Sequence, residues 1–200
     1  MKRKDAPFVA LLFFPLLVLA LNLHCQYDYS SPLPGLIDIR LHTISDSSRI
    51  AFGPQNIFVL KITEVNAQRS DLALARVYGD IKAIKRLTGI YNTLDARAED
   101  SSLVIGQADL PPGDYIGILM IIAPGSTAIL DGYRSITVET PPEFDPTLSF
   151  QRPFKISEQR TTRIVLTINL DSSLVKEAVG YPPDTFLFTP SYYISSVQYE

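Results

Sequence analysis

From Arg160 the sequence runs RTTRIVLTINL, with Ile164, Leu166, Ile168 and Leu170 separated by single residues that include Thr167 and Asn169. Successive side chains of a strand point to opposite faces, so this period of two describes a strand with one face buried. The same alternation opens the chain after residue 34. In Gly35–Ile44, Ile37, Ile39 and Leu41 fall on one face and Asp38, Arg40 and His42 on the other. No long stretch of period 3.6 competes with it, and this excludes a helical core. QNIFVLKITEV (55–65) is apolar on both faces at Ile57–Leu60, which predicts a central strand. Further strands are expected over 72–78, 102–109, 115–123, 133–139 and 150–157, the last at a sheet edge because Pro153 lacks a donor. A final Tyr-rich strand is expected over 185–199, broken at Pro190. IKAIKRL (81–87) fits either a helical turn or an edge strand, with Lys82, Lys85 and Arg86 as a solvated face. LPPGDY (110–115), APGS (123–126), LDG (130–132), TPPEFDP (140–146) and YPPD (181–184) supply the turns. Eight to ten strands with Pro/Gly punctuation predict an all-β chain. The expected form is a single antiparallel β-sandwich of the Ig-like kind over residues 35–200.

The first 24 residues do not belong to that pattern. MKRKD is a basic head, and FVALLFFPLLVLAL (8–21) is an apolar run. Together they describe a secretory signal. The 18 residues from Ala6 to Leu23 are at the short end for a membrane span, and Pro15 would kink a helix there. Cys25, the single cysteine of the chain, follows directly in LNLHCQ. The reading is a lipoprotein-type signal over 1–24, lipid such as palmitate on Cys25, and a polar tether over 25–34 (CQYDYSSPLP). Cleavage without lipid and retention of the uncut helix are the two alternatives. Asn22 and His24 depart from the usual signal, which has a leucine three residues before the cysteine and a small residue just before it. The segment resembles relaxed bacterial lipoprotein signals. One cysteine also rules out an intramolecular disulfide, so the sandwich stands on its core.

Of the charged residues, 15 basic and 20 acidic ones follow Cys25, a net −5. Such a domain has no electrostatic attraction to nucleic acid. The two histidines, His24 in the signal and His42 on a polar strand face, have no partners for catalysis, and no catalytic residues or cofactor are assigned. Acidic loops are the remaining chemistry. Asp95, Glu99 and Asp100 share one, and Glu139, Glu143 and Asp145 another. Oxygen ligands of this kind suit calcium, though neither spacing matches a known calcium loop. Asp171 is expected to cap a turn or a short helix, SLVKEAV. Tyr192, Tyr193 and Tyr199 are expected to pack across strands, with a partner surface as the other reading.

Three stretches, QNIFVLKITEV, LPPGDYIGILMII and RTTRIVLTINLDSSLV followed by FLFTPSYYISSV, resemble in order the bacterial family catalogued as domain of unknown function 4382. Leu110, Pro111, Pro112, Gly113 and Tyr115 match its middle turn, and NLDSS (169–173) its closing motif. HTISDSSRIAFGP stands where the family has a strand followed by Asp-Ala-Pro. The resemblance covers about Gly35 to Val197. It implies a prealbumin-like sandwich, export and frequent lipid anchoring, and it implies no reaction. The expectation is therefore a lipid-anchored module of the bacterial cell envelope, facing the periplasm or the cell surface. It would act as a non-enzymatic binding or structural protein, with other envelope or matrix proteins as partners met through loops at one end. The alternatives are a calcium-dependent carbohydrate binder or hydrolase using the acidic loops, and strand addition at an uncovered edge over 185–199.

Overall fold

The computed structural model describes residues 31–45, 56–78, 90–96, 101–123, 128–131, 134–136, 138–176 and 186–200. The sandwich lies within the unit Leu33–Glu200. The apolar run, Cys25, Lys82, Lys85, Arg86, Glu99 and Asp100 lie outside the described residues.

The chain forms an all-β sandwich. The smaller sheet has four strands in the order β14-β11-β1-β5, with β1 at Gly35–Ile44, β5 at Leu103–Leu110, β11 at Thr161–Asn169 and β14 at Ser191–Tyr199. The larger sheet runs β10-β6-β2-β7-β8 through Thr147–Ile156, Gly113–Ile122, Asn56–Arg69, Ala128–Asp131 and Arg134–Ile136. Two short strands, β3 (Leu74–Tyr78) and β4 (Ile90–Asn92), also pair with β2. β12 (Leu174–Lys176), β13 (Phe186–Phe188) and β9 (Val138–Glu139) make a third small sheet. Most pairs are antiparallel, as expected. Two are parallel, β1 with β11 and β13 with β9.

The alternation seen in sequence is the alternation of burial. Ile37, Ile39 and Leu41 of β1 and Ile164, Leu166 and Ile168 of β11 face inward and are fully buried. They belong to one core with Phe58, Leu60, Ile62, Ile118, Met120, Ile122 and Phe150 from the larger sheet. β2 is central. Its first residues pair with β7 and β4, and its later ones with β6 and β3.

LPPGDY crosses from one sheet to the other. β5 ends at Leu110 in the small sheet and β6 begins at Gly113 in the large one. Gly113 has φ 151, a backbone setting that side-chain-bearing residues rarely adopt. Buried Tyr115 returns its hydroxyl to the Pro111 carbonyl at 2.9 Å and stacks on Phe154 at 5.3 Å, which locks the crossover. Two residues later, a Cβ on Gly117 would lie 2.4 Å from the Phe150 carbonyl oxygen, so only glycine lets β6 and β10 approach there.

Pro153 marks an edge, as expected. β10 is the outer strand of its sheet and slips register between Gln151 and Phe154, a bulge that absorbs the missing donor. It lies beside β14, the outer strand of the other sheet, and side chains close both edges. The Tyr192 hydroxyl accepts from the Ser149 N–H and the Tyr199 hydroxyl from the Lys155 N–H. Arg152 donates to the Ile194 and Ser195 carbonyls. Tyr192 also packs on Phe150 at 4.7 Å, whereas Tyr193 and Tyr199 keep about half of their surface exposed.

Three local expectations need correction. The helix after β11 is a single turn, Leu170–Ser173, and Leu174–Lys176 continues as strand. Its cap is Asn169, whose side-chain oxygen accepts from the Ser172 N–H, and not Asp171. Leu72 does not begin β3. It sits in the turn before it with φ 66 and its side chain exposed.

Candidate functional site

The outward face of the small sheet carries Asp38, Arg40 and His42 at alternate positions of β1. Register places Asp38 opposite Arg163 of β11 on one side and Gln107 of β5 on the other. All three partners converge. Arg163 Nε and Arg40 Nε both donate to Asp38 Oδ2, at 3.0 and 2.9 Å, and Gln107 Nε2 donates to Oδ1 at 3.0 Å. The Asp38 side chain keeps 3% of its surface, although it sits on the polar face. Burial pushes its carboxyl pKa up, but the hydrogen bonds from Arg163, Gln107 and Arg40 outweigh that and hold it below the ordinary aspartate value. The Arg163 guanidinium is held above its ordinary value, first by its bond to Asp38. Its terminal nitrogens clasp Glu200, at 2.6 and 3.4 Å.

One step along the sheet from this row the face is recessed. Arg40, His42, Ser101, Ser102, Arg163, Val165, Ser195, Ser196 and Gln198 line a cleft of about 320 Å³. Two register shifts shape it. Between β1 and β5 the shift falls at Ile39/Arg40, and between β11 and β14 at Val165/Leu166. The second leaves Ser195 as an extra residue, so two adjacent serines reach the same cleft. Bulges re-aim side chains in this way beside functional sites.

The hydrogen bonds divide the lining groups into two sets. His42 Nδ1 donates to the Ser101 carbonyl at 3.0 Å, so the other ring nitrogen is the one left for the cleft. Ser195 Oγ donates to the Val165 carbonyl and accepts from Thr167 Oγ1. Arg40 uses only Nε. Among the described residues its terminal nitrogens, the Ser102 and Ser196 hydroxyls and the Gln198 amide have no protein partner. Among the described residues no carboxylate lines the cleft; Asp38 and Glu200 are engaged by the arginines. The uncommitted groups are the donor-only nitrogens of Arg40 beside hydroxyls and an amide that can donate or accept, and two of the lining residues are cations about 30% exposed.

Of the acidic loop residues, Glu139, Glu143 and Asp145 do not line the cleft. Glu139 is exposed at the end of β9, and Glu143 and Asp145 are exposed in the loop before β10. Asp145 already accepts the Thr147 N–H at 2.8 Å, a local turn contact. The backbone of Asp95 lies in the 3-10 turn Thr93–Ala96. Among the described residues, no three His, Cys, Asp or Glu side chains group to hold a metal ion.

Sequence reasoning placed Arg40 and His42 on a polar face but did not assemble the cleft. The signal was present in ISSV (194–197), where two polar residues between apolar ones break the period of two. No family model, no curated protein and no solved structure matches the chain.

Proposed function

We propose that the chain is an exported protein held at the bacterial cell envelope by lipid on Cys25. Its sandwich acts there as a non-enzymatic binding module with its ligand site in the cleft of the small sheet. The observation that carries the binding half of this reading is the recess itself. An outward sheet face is ordinarily covered by solvated side chains; here paired bulges hollow it and leave polar groups uncommitted. The address is supported by the basic head, the apolar run ending directly before the lone cysteine, and the polar stretch joining Cys25 to Leu33, where the unit containing the sandwich begins.

The test of the address is the intact mass of the protein purified from its own membranes, beside a Cys25→Ala variant. The expected result is a chain beginning at Cys25 with added acyl mass, and loss of that mass together with membrane retention in the variant. A chain cut elsewhere without lipid, or an uncut chain, refutes the anchor.

A further inference from the structure

We infer that the cleft binds a small multi-oxygen anion, a carboxylate or a phosphate, through the terminal nitrogens of Arg40; this rests on reading the cleft as the ligand site. Arginine engages both groups through two parallel N–H bonds, and it does so best where water is partly excluded. Arg40 is built for this. Its Nε is fixed on Asp38 at 2.9 Å, so the plane of the guanidinium is set before any ligand arrives. Asp38 is itself pinned by Arg163 and Gln107. The ordering cost of a long side chain is therefore already met in the fold. Asp38 and Glu200 together balance the charges of Arg40 and Arg163, so the attraction offered to a ligand is that of the directed terminal N–H groups of Arg40.

The surroundings fit the same ligand. The hydroxyls of Ser102 and Ser196 and the amide of Gln198 offer further donors around the cleft. His42 has Nδ1 committed to the Ser101 carbonyl, which leaves its other ring nitrogen without that partner. Among the described residues a cation would meet Arg40 and Arg163 with no lining carboxylate to receive it. A purely apolar ligand would strand these polar groups without partners, which is costly. The volume, about 320 Å³, is at the small end of ligand clefts and suits a compact anion.

The experiment is calorimetric titration of the full chain in a neutral detergent with inorganic phosphate, citrate and the neutral disaccharide lactose. The expected result is saturable binding of phosphate or citrate, and whichever saturates at the lower concentration identifies the source of the oxygens. Arg40→Gln should weaken that binding about tenfold or more, and Arg40→Lys, which keeps charge but loses the planar pair, by several-fold. Ser196→Leu fills the cleft and leaves the Asp38 ion pairs intact, so it should abolish binding in a chain that still folds. Arg76→Gln, on the other sheet and 61% exposed, should leave it unchanged. Equal anion binding by wild type, Arg40→Gln and Ser196→Leu, or no saturable anion binding, overturns the inference. Lactose binding that Ser196→Leu removes, without anion binding, also overturns it while the binding-module reading stands. A missing lipid mass would remove the proposed address without altering this titration.

Discussion

Replacing Asp38 by asparagine changes one atom type at the centre of the small sheet's polar face. The carboxylate accepts three side-chain bonds, from Arg163, Arg40 and Gln107, at 2.9–3.0 Å. Asparagine retains one acceptor oxygen and turns an amide N–H toward guanidinium donors. Hydrogen bonds to a buried charge contribute about 1.5–3 kcal/mol each, and breaking a buried ion pair from one side costs about 3–5 kcal/mol. Both arginines keep about 30% of their side-chain surface and rehydrate in part. The expected loss is therefore about 2–4 kcal/mol at neutral pH, below the simple sum of the bonds. Urea unfolding of the full chain, followed by tyrosine fluorescence because there is no tryptophan, measures it. The sign with pH follows from the lowered carboxyl. Its stabilisation is complete above the ordinary aspartate value and is lost as pH falls through the lower folded value. The gap between wild type and variant should thus be constant near neutrality and close in strong acid. Asp71→Asn, whose carboxylate is 60% exposed and 3.6 Å from Arg69, should cost less than about 0.5 kcal/mol. A loss at Asp38 no larger than at Asp71, or a gap unchanged from neutral to acid pH, would refute the reasoning.

Two further perturbations address the crossover and the strand it feeds. Gly117→Ala drives a Cβ to 2.4 Å from the Phe150 carbonyl oxygen, so β6 and β10 must part; a loss of about 2–4 kcal/mol is expected in the same urea assay, and a neutral result would contradict the close approach. Tyr115→Phe removes the bond to the Pro111 carbonyl and should cost about 0.5–1.5 kcal/mol. Burial raises the Tyr115 phenol above its ordinary value, so wild type should lose stability as pH rises past the unfolded phenol value, and the variant should lose less. A thermal melt series into alkali checks this, and identical alkaline arms would count against it.

The strands were legible because each buries a face against a core that only requires alternation. Ile37, Ile39, Leu41, Ile164, Leu166 and Ile168 can be read inward from the sequence, and they are inward. Asp38 could be assigned to the outer face but not recognised as buried. Its cover comes from Arg163, 125 residues away, and from Gln107, 69 residues away, and no local pattern records such neighbours. The crossover LPPGDY was read as a turn from its prolines and glycine. That its two ends belong to different sheets depends on which strands pair with β5 and β6, and pairing is a long-range property. Asp171 was the nearer guess for a cap by residue type. Asn169 holds the position because β11 ends there and the helical turn begins at Leu170, although Leu170 still keeps the inward phase of the strand. The cleft needed two register shifts from two different strand pairs to coincide, so only the serine pair at 195–196 hinted at it.

The parallel pairing of β1 with β11 has a consequence for the order in which the molecule can fold. Leu36 meets Thr161 and Ile44 meets Asn169, so β1 can pair early with β5 on one side but waits for most of the chain on the other. β2, β6 and β10 are closer in sequence and can assemble beforehand. Closing a loop of that length is slow because its entropy is spent before the contacts return anything. The small sheet, and with it the Arg40 cleft, is therefore the last part to form. Until β11 and β14 arrive, β1 has β5 as its neighbour on one side and an open edge on the other. A copy cut short before Thr161 would hold much of the larger sheet and lack the Arg40 cleft.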